Sequence, residues 1–302
     1  MTSSVTVRPA TVEDADAMAA LRRVVFPYKL MPAAMVRRSI TRHQPEERSL
    51  AMVAEAGGSI VGWGTARLNI WTSVAGQSNI SVLVDPEHRG RGIGSALVEC
   101  FHDHLAAAGA ARTQVFARQD SAAFAQRRGY EVTRTMHYAG VPLTDLPPQP
   151  DAPAGVRVHA YDDAELDPHA VYTAEMLASA DEPGDAPLDS IDYDRWLTDF
   201  WNNPSIDRTL STAAVSGDEV LAFTIVETDG ERLWSAFSGT VPQHRGRGLS
   251  KLVKSAALHR AAAHGVSRAF TSNDDRNGPM LAVNDSLGYR RVATEKGLSR
   301  TL

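Results

Sequence analysis

The chain carries the segment Pro-x-His-Arg-Gly-Arg-Gly twice, as Pro86–Gly92 and Pro242–Gly248, at a constant displacement of 156 positions (Arg89 to Arg245, Gly92 to Gly248). A repeat of this size is a duplicated domain, because solenoid repeats recur every roughly 20–50 residues. An apolar or β-branched run precedes each copy, and a helical pattern of apolar residues follows it. In both halves a strand therefore enters a glycine-rich turn and a helix leaves it.

That turn has a definite chemistry. Its glycines reach backbone angles other residues avoid, and without a Cβ they let a ligand approach the main chain. The first amides of the following helix lack intrahelical acceptors and lie at the positive end of its dipole. Such a site takes an anion, most naturally a phosphate or pyrophosphate. Arg89, Arg91, Arg245 and Arg247 place charge-assisted donors at the two mouths.

Arg89-Gly90-Arg91-Gly92-Ile93-Gly94 resembles the acetyl-CoA pyrophosphate loop of the GCN5-related N-acetyltransferase (GNAT) superfamily, Arg/Gln-x-x-Gly-x-Gly/Ala. The stretch Val5–Asp16 resembles the family's first strand and helix start, and both halves end their motif region on a Gly-aromatic step, Gly129-Tyr130 and Gly288-Tyr289. The resemblance covers nearly the whole chain. It implies an α/β fold of two tandem GNAT domains, each a twisted mixed β-sheet flanked by helices, with the layout of tandem acetyltransferases. It also implies acetyl-CoA as cofactor and a small-molecule amine as acceptor.

Composition agrees. At 302 residues the chain holds about two ordinary domains. A net charge of −5 argues against a general nucleic-acid binder. A single cysteine, Cys100, excludes an internal disulfide framework, and its place on the apolar face of the helix after the first loop marks a buried small hydrophobe. No apolar run approaches the roughly 18 residues of a membrane helix, and no secretory signal is evident. The expectation is a cytoplasmic monomer or homodimer without a metal site and without membrane or nucleic-acid partners.

The first half reads as a strand at Val5–Arg8, a helix from Thr11, and a loop and second helix over 26–40. A hairpin through Gly57-Gly58 follows, then a strand at Ile80–Val84 that delivers the chain to the first loop. Thr113–Ala117, a short helix at Ser121–Arg128 and a strand at Tyr130–Tyr138 complete a domain over 1–142. Five prolines within 141–155 mark a linker over 143–155. The second domain, 156–302, repeats the order with two helical stretches, Ala170–Ala180 and Tyr193–Phe200, and strands at Thr209–Val215, Val220–Glu227 and Leu233–Thr240. The acidic loop between those helices, with Asp181, Glu182, Asp185, Asp189, Asp192 and Asp194, is either a solvated surface or a receptor for a cationic amine.

Carried onto this chain, the resemblance places Val82, Leu83 and Val84, and likewise Ser238, Gly239 and Thr240, beside the pantetheine and acetyl group. It gives the loop residues Arg89, Gly90, Arg91, Gly92, Ile93 and Gly94, and Arg245, Gly246, Arg247, Gly248, Leu249 and Ser250, to the pyrophosphate. Ser250 departs from the family's glycine or alanine. Asn277 matches an asparagine that bonds the pantetheine arm, where the first half has Arg118. The position that often holds a tyrosine acid is Ala125 in one half and Asn284 in the other. Tyr28 and Met31, from the region that shapes the acceptor pocket, are candidate substrate contacts; aromatic and methionine residues there also serve to pack the helix on the sheet. Trp196 recurs with Phe200 and Trp201 at helical spacing and is carried both as core and as a substrate contact. Glu227, at the end of a strand, is the one base candidate, with a solvated hairpin-end carboxylate as its alternative. His88 and His244 read as exposed turn residues.

Two readings of function follow: acetyl-CoA-dependent acetylation of a small molecule's primary amine by direct attack in a ternary complex, in the second domain; or a non-catalytic CoA-binding protein, as Ala125 and Asn284 allow. A nucleotide phosphate binder is disfavoured by the lack of a Walker lysine-serine pair.

Overall fold

In a computed structural model, residues 5–41, 44–180, 184–187, 189 and 191–302 are described. The chain forms two compact units. The first runs to Thr135 and includes Glu295–Leu302; the second is Met136–Thr294.

The first unit contains β1 (Thr6–Pro9), α1 (Ala15–Val25), α2 (Ala33–Thr41), β2 (Leu50–Ala56), β3 (Ser59–Leu68), β4 (Gln77–Val84), α3 (Ile93–Ala107), β5 (Arg112–Arg118) and α4 (Ala122–Gln126). Strands β1 to β4 pair antiparallel in sequence order, and β4 pairs parallel with β5. Helix α3 buries Ile93, Leu97, Phe101 and Leu105, a four-residue spacing that keeps one face on the sheet. Gly64 lies where a Cβ would collide with Ser81 O and the Phe101 ring, so β3 must carry glycine for α3 to seat. Cys100 sits at the edge of this face, half-buried rather than enclosed, and burial raises its thiol pKa.

The chain then enters β6 (Glu131–Pro142), whose Met136–Pro142 portion belongs to the second unit. That unit continues with β7 (Arg157–Ala160), α5 (Pro168–Ser179), α6 (Tyr193–Trp196), β8 (Thr212–Ser216), β9 (Glu219–Thr228), β10 (Arg232–Thr240), α7 (Leu249–Ala263), β11 (Arg268–Asp274) and α8 (Gly278–Ser286). The expected helix over 193–200 is α6 followed by a π-helical turn, Leu197–Trp201. Strands β7 to β10 pair antiparallel, and β10 pairs parallel with β11. The last strand, β12 (Arg290–Thr301), crosses back, and its Glu295–Thr301 portion belongs to the first unit.

Each unit is thus finished by a strand from the other half of the chain. Glu295–Thr301 of β12 pairs antiparallel with β5, and Met136–Pro142 of β6 pairs antiparallel with β11. The boundary expected at 143–155 differs from this division. Its proline-rich segment packs on the second unit: Leu143 N donates to Ser267 O, the Pro147 carbonyl is bonded by His259 Nε2, and Leu143 and Leu146 join the core of α7 and β11. Proline density removes donors from the backbone but leaves apolar surface to bury. Of the acidic loop, Asp181 and Glu182 lie outside the described residues, and Asp192 caps α6 by accepting from Arg195 N.

Deleting Glu295–Leu302 is expected to open the first unit. Buried Leu298 and Glu295 leave with that strand, a loss on the order of 3 kcal/mol or more for Leu298 alone. Hydrogen exchange should show β5 amides losing protection while β11 amides keep theirs.

Candidate functional site

In both units the parallel pair at the centre of the sheet parts early. The β10 ladder with β11 covers Arg232–Ser235 against Arg268–Thr271, and the β4 ladder with β5 covers Gln77–Asn79 against Arg112–Gln114. Beyond these pairs each strand couple diverges, and a groove opens between its strands.

In the second unit the groove encloses about 740 Å³ and is lined by β10, the glycine loop, the first turns of α7, and residues of β11 and α8. Gly246 (φ 75°) and Gly248 (φ 76°) adopt the left-handed backbone that glycine favours, and a Cβ on either would meet nothing within 4 Å. The loop is therefore open on its outer side, a cradle facing the unsatisfied amides of α7. Arg245 Nε donates to Thr240 O (3.3 Å), and the Thr240 and Ser250 hydroxyls bond at 2.6 Å. Arg245, Lys251, Lys254 and Arg276 line the groove, with no carboxylate among the described lining residues. Asp274, beside the groove, is clamped by Arg276, which holds its pKa down at about 2.

β10 bulges. Its register with β9 shifts between Ser235 and Phe237, so Ala236 is extra to the ladder and its backbone groups are released from strand pairing. Because of the bulge, Ser235 and Ser238 both reach the α7 side. There Lys254 Nζ donates to Ser235 Oγ at 2.7 Å and Ser238 Oγ at 3.4 Å, and the Thr224 and Ser238 hydroxyls bond at 2.7 Å. Lys254 is 2% exposed, and burial pulls its pKa down to about 7. Sequence reading missed this residue inside an apolar helical pattern. The available signal was the repeat itself, which sets Lys254 against buried Val98 at the same 156-residue displacement.

The first unit's groove is smaller, about 500 Å³, and differs in charge. Val82, Leu83, Val84, Arg89, Gly90, Gly92, Ile93 and Gly94 line it as the sequence suggests, but so does Asp120. That carboxylate pairs with the loop cation Arg89 (3.3 Å) and with Arg118 (3.5 Å). Arg128 stacks on Phe124 and donates to Ser95 Oγ in the first turn of α3. β4 carries no register shift against β3.

The remaining candidates divide. Ser238, Gly239, Thr240, Leu249, Ser250 and Asn277 line the second groove. Asn277 also caps α8, accepting from Met280 N. Arg91 and Arg247 lie off the groove walls, bonded to Glu87 O and His244 Nδ1. Asn284 is set back behind Asn273, to which it donates at 2.6 Å; its own buried Oδ1 has no partner among the described residues. His88 and His244 are half-buried at the groove mouths, each bonded to a carboxylate, Asp85 and Glu219. Tyr28 donates to Oε1 of buried Glu295 (2.8 Å), whose Oε2 receives Lys29, so the Tyr28 hydroxyl is engaged in an internal cluster. Met31 is half-buried and lines neither groove. Trp196 is 1% exposed, stacked among Tyr172, Tyr193 and Trp201, with Nε1 donating to Glu175 Oε2 at 2.7 Å. It is core, because its polar tip finds a buried acceptor. Glu227 shares the β9 face of Phe223 and Ile225, opposite Trp234 in the ladder, and lies outside the groove lining. Burial raises its pKa to about 7.

Comparison with known proteins agrees with this geometry. Residues 47–132 match the family described as acetyltransferase (GNAT) domain. A mycothiol acetyltransferase of Streptomyces scabiei is 30% identical over 220 residues, 71% of this chain and 68% of the relative. A GCN5-related N-acetyltransferase from Sphaerobacter thermophilus superposes with a TM-score of 0.76 at 20% identity, covering 98% of this chain and 95% of the other. A tandem GNAT protein from the clavulanic acid biosynthesis pathway gives 0.75 at 20% identity, covering 99% and 98%. No helix among the described residues is long and apolar enough to cross a membrane.

The buried amine makes a stability prediction. Lys254 has a folded pKa of about 7 against 10.5 for the free side chain, so between those values the unfolded chain binds the extra proton. Stability must then rise with pH across that window. Lys254→Met should flatten this slope and raise Tm at pH 7, by about 2–4 °C per kcal/mol recovered, in thermal melts across pH.

Proposed function

Because the chain belongs to the GNAT acetyltransferase family, we propose that its second unit transfers the acetyl group of acetyl-CoA to the primary amine of a small molecule, by direct attack within a ternary complex. The observation that carries this reading is the second unit's groove, free of carboxylates among its described lining and running from an open twin-glycine cradle to a strand bulge. The residues present fit the cofactor. The α7 amides and Arg245 hold a pyrophosphate, and Lys251 and Arg276 add positive field along the groove. Acetyl-CoA, when bound, supplies the acetyl group as an activated thioester. The released N–H of Ala236 is the donor to the carbonyl oxygen where charge develops. Glu227, off the groove walls, accepts the proton of the incoming ammonium through intervening water rather than by direct contact. Its raised pKa keeps it a base strong enough for the task near neutrality while still ionised above pH 7.

The first unit is assigned the supporting role. Asp120 competes for Arg89, so the loop cation itself is partly neutralised, although Arg118, Arg127 and Arg128 also line this groove. The acceptor class suggested by the Streptomyces relative is an amine on a mycothiol-like conjugate, and such compounds belong on the assay panel with amino sugars and simple amines.

Calorimetry with acetyl-CoA tests the choice of unit. Gly248→Asp sets a carboxylate against the pyrophosphate in a strained backbone position and should weaken binding by about 100-fold or more, as like charges brought together cost several kcal/mol. Gly92→Asp should change it by less than about ten-fold. The reverse order would move the active groove to the first unit. For Glu227, acetyl transfer should rise with pH through about 7 as the carboxylate ionises. Glu227→Gln should lose that limb and about 10²–10⁴ of the rate; an unchanged profile would remove Glu227 from the reaction.

A further inference from the structure

We infer that Lys254 is the proton donor to the departing sulfur of coenzyme A, held at the closed end of the second groove by Ser235 and Ser238. The inference rests on reading that groove as the acetyl-CoA site, and goes beyond it by filling the acid's place that Asn284, an amide, cannot fill.

Position comes first. A pyrophosphate in the Gly246–Gly248 cradle lies at the Thr240 end of β10, and the groove closes at Ser235, where the β10–β11 ladder begins. Five strand steps separate the two ends, about 16 Å at the usual rise. An extended pantetheine arm, roughly five residue-lengths long, spans such a distance. Lys254 lines the groove at that closed end, and its two hydroxyl partners flank the Ala236 bulge.

Bonding comes next. A lysine ammonium has three N–H donors. Two are taken by Ser235 and Ser238, and the third has no hydrogen-bond acceptor among the described residues. The groups packed around it are hydroxyls: Thr224 on β9, Ser235 and Ser238 on β10, and Thr271 on β11, which donates to Ser235 O. Among the described residues the titratable contact is the Tyr289 ring, 5.7 Å from Nζ, and its hydroxyl is kept neutral by burial. Charged groups along the groove are the cations Arg245, Lys251 and Arg276. Lacking a carboxylate partner, the ammonium gives up its proton readily, consistent with its lowered pKa.

Fold alone does not call for this lysine. In the first unit the same helix position is Val98, and the ladder positions of Thr224, Ser235 and Ser238 are Gly64, Ile80 and Val82. An apolar residue therefore packs well here, and burying an amine instead opposes folding.

The step balances. The amine nitrogen bonds to the carbonyl carbon, the C–S bond breaks, and its electron pair stays on sulfur. The Nζ proton moves to that sulfur, giving the thiol and a neutral Lys254. The proton lost by the acceptor amine replaces it through solvent or Glu227.

The test uses free coenzyme A, so that no acceptor is needed. Its binding to wild type, Lys254→Met and Lys254→Arg is measured by calorimetry, and ionisation of the bound thiol is followed by thiolate ultraviolet absorbance across pH. In wild type the bound thiol and Lys254 share their protons, so a fraction of thiolate should appear as the pair loses its first proton near pH 7, below the range where free coenzyme A titrates, because an opposite charge at contact favours the anion. Lys254→Met should bind within about three-fold of wild type, since the pyrophosphate contacts remain, while its bound thiol returns to the free value or above. Lys254→Arg should keep a lowered thiol pKa yet lose about 10²–10⁴ of acetyl transfer to the amine panel, because guanidinium does not release its proton. Identical thiol titrations in wild type and Lys254→Met would overturn the inference and leave Lys254 a packing residue. Failure of wild type to bind coenzyme A would instead overturn the reading of the groove, and the inference with it.

Discussion

The groove of the second unit depends on two parallel strands that stop pairing. A parallel ladder needs evenly spaced bonds along both partners, and here β10 and β11 sustain it for four residue pairs only. Past Ser235 their edges face one another across open space, and backbone donors that a sheet would consume become available to a ligand. The bulge at Ala236 and the glycine turn at 246–248 are consequences of the same geometry: the first lets β10 bend away while staying on β9, and the second reverses the chain into α7 at the groove's mouth. Duplication repeats the parting in the first unit, but without the bulge and with Asp120 set against the loop cation. The two halves share a fold and differ in what their grooves offer an anion.

The second groove also shows how stability and function pull apart. Helix α7 resembles α3 in length and placement, yet where α3 commits Val98 to the core, α7 commits an amine. The hydroxyls around Lys254 satisfy two of its hydrogen bonds without neutralising it. Such an arrangement is poor packing and useful chemistry, which is the usual character of a site where local rules are broken.

Much of this was legible in the residues. The repeated glycine loop named the turn and the helix that leaves it, because only a short menu of backbone conformations is compatible with glycines at 246 and 248. Periodicity placed α3 and α7 correctly, since Ile93, Leu97, Phe101 and Leu105 recur on one face. Three things were hidden. Strand exchange was one: β6 and β12 are equivalent edges of equivalent sheets, and alternation along a strand does not say which copy it will join. Lys254 was another, because a lysine among Leu252, Val253 and Ala256 reads as the helix's wet side until the fold shows that α7 is nearly enclosed. The third was Trp196 and Tyr28. Both look like substrate contacts by residue type, and both are anchored by buried carboxylates, Glu175 and Glu295, far away in sequence.

The exchanged strands have a bearing on how the molecule is made. During synthesis β5 emerges well before its neighbour Glu295–Thr301, with the whole second unit between them. Until then the first sheet presents an unpaired edge, the feature that invites strands from other chains to join it. A ribosome that has not yet reached β12 holds a first unit that cannot close its sheet, so that unit's folding waits on the segment that follows the second unit. Slow translation or premature release would leave the β5 edge open to aggregation, a burden that tandem domains with self-contained sheets do not carry.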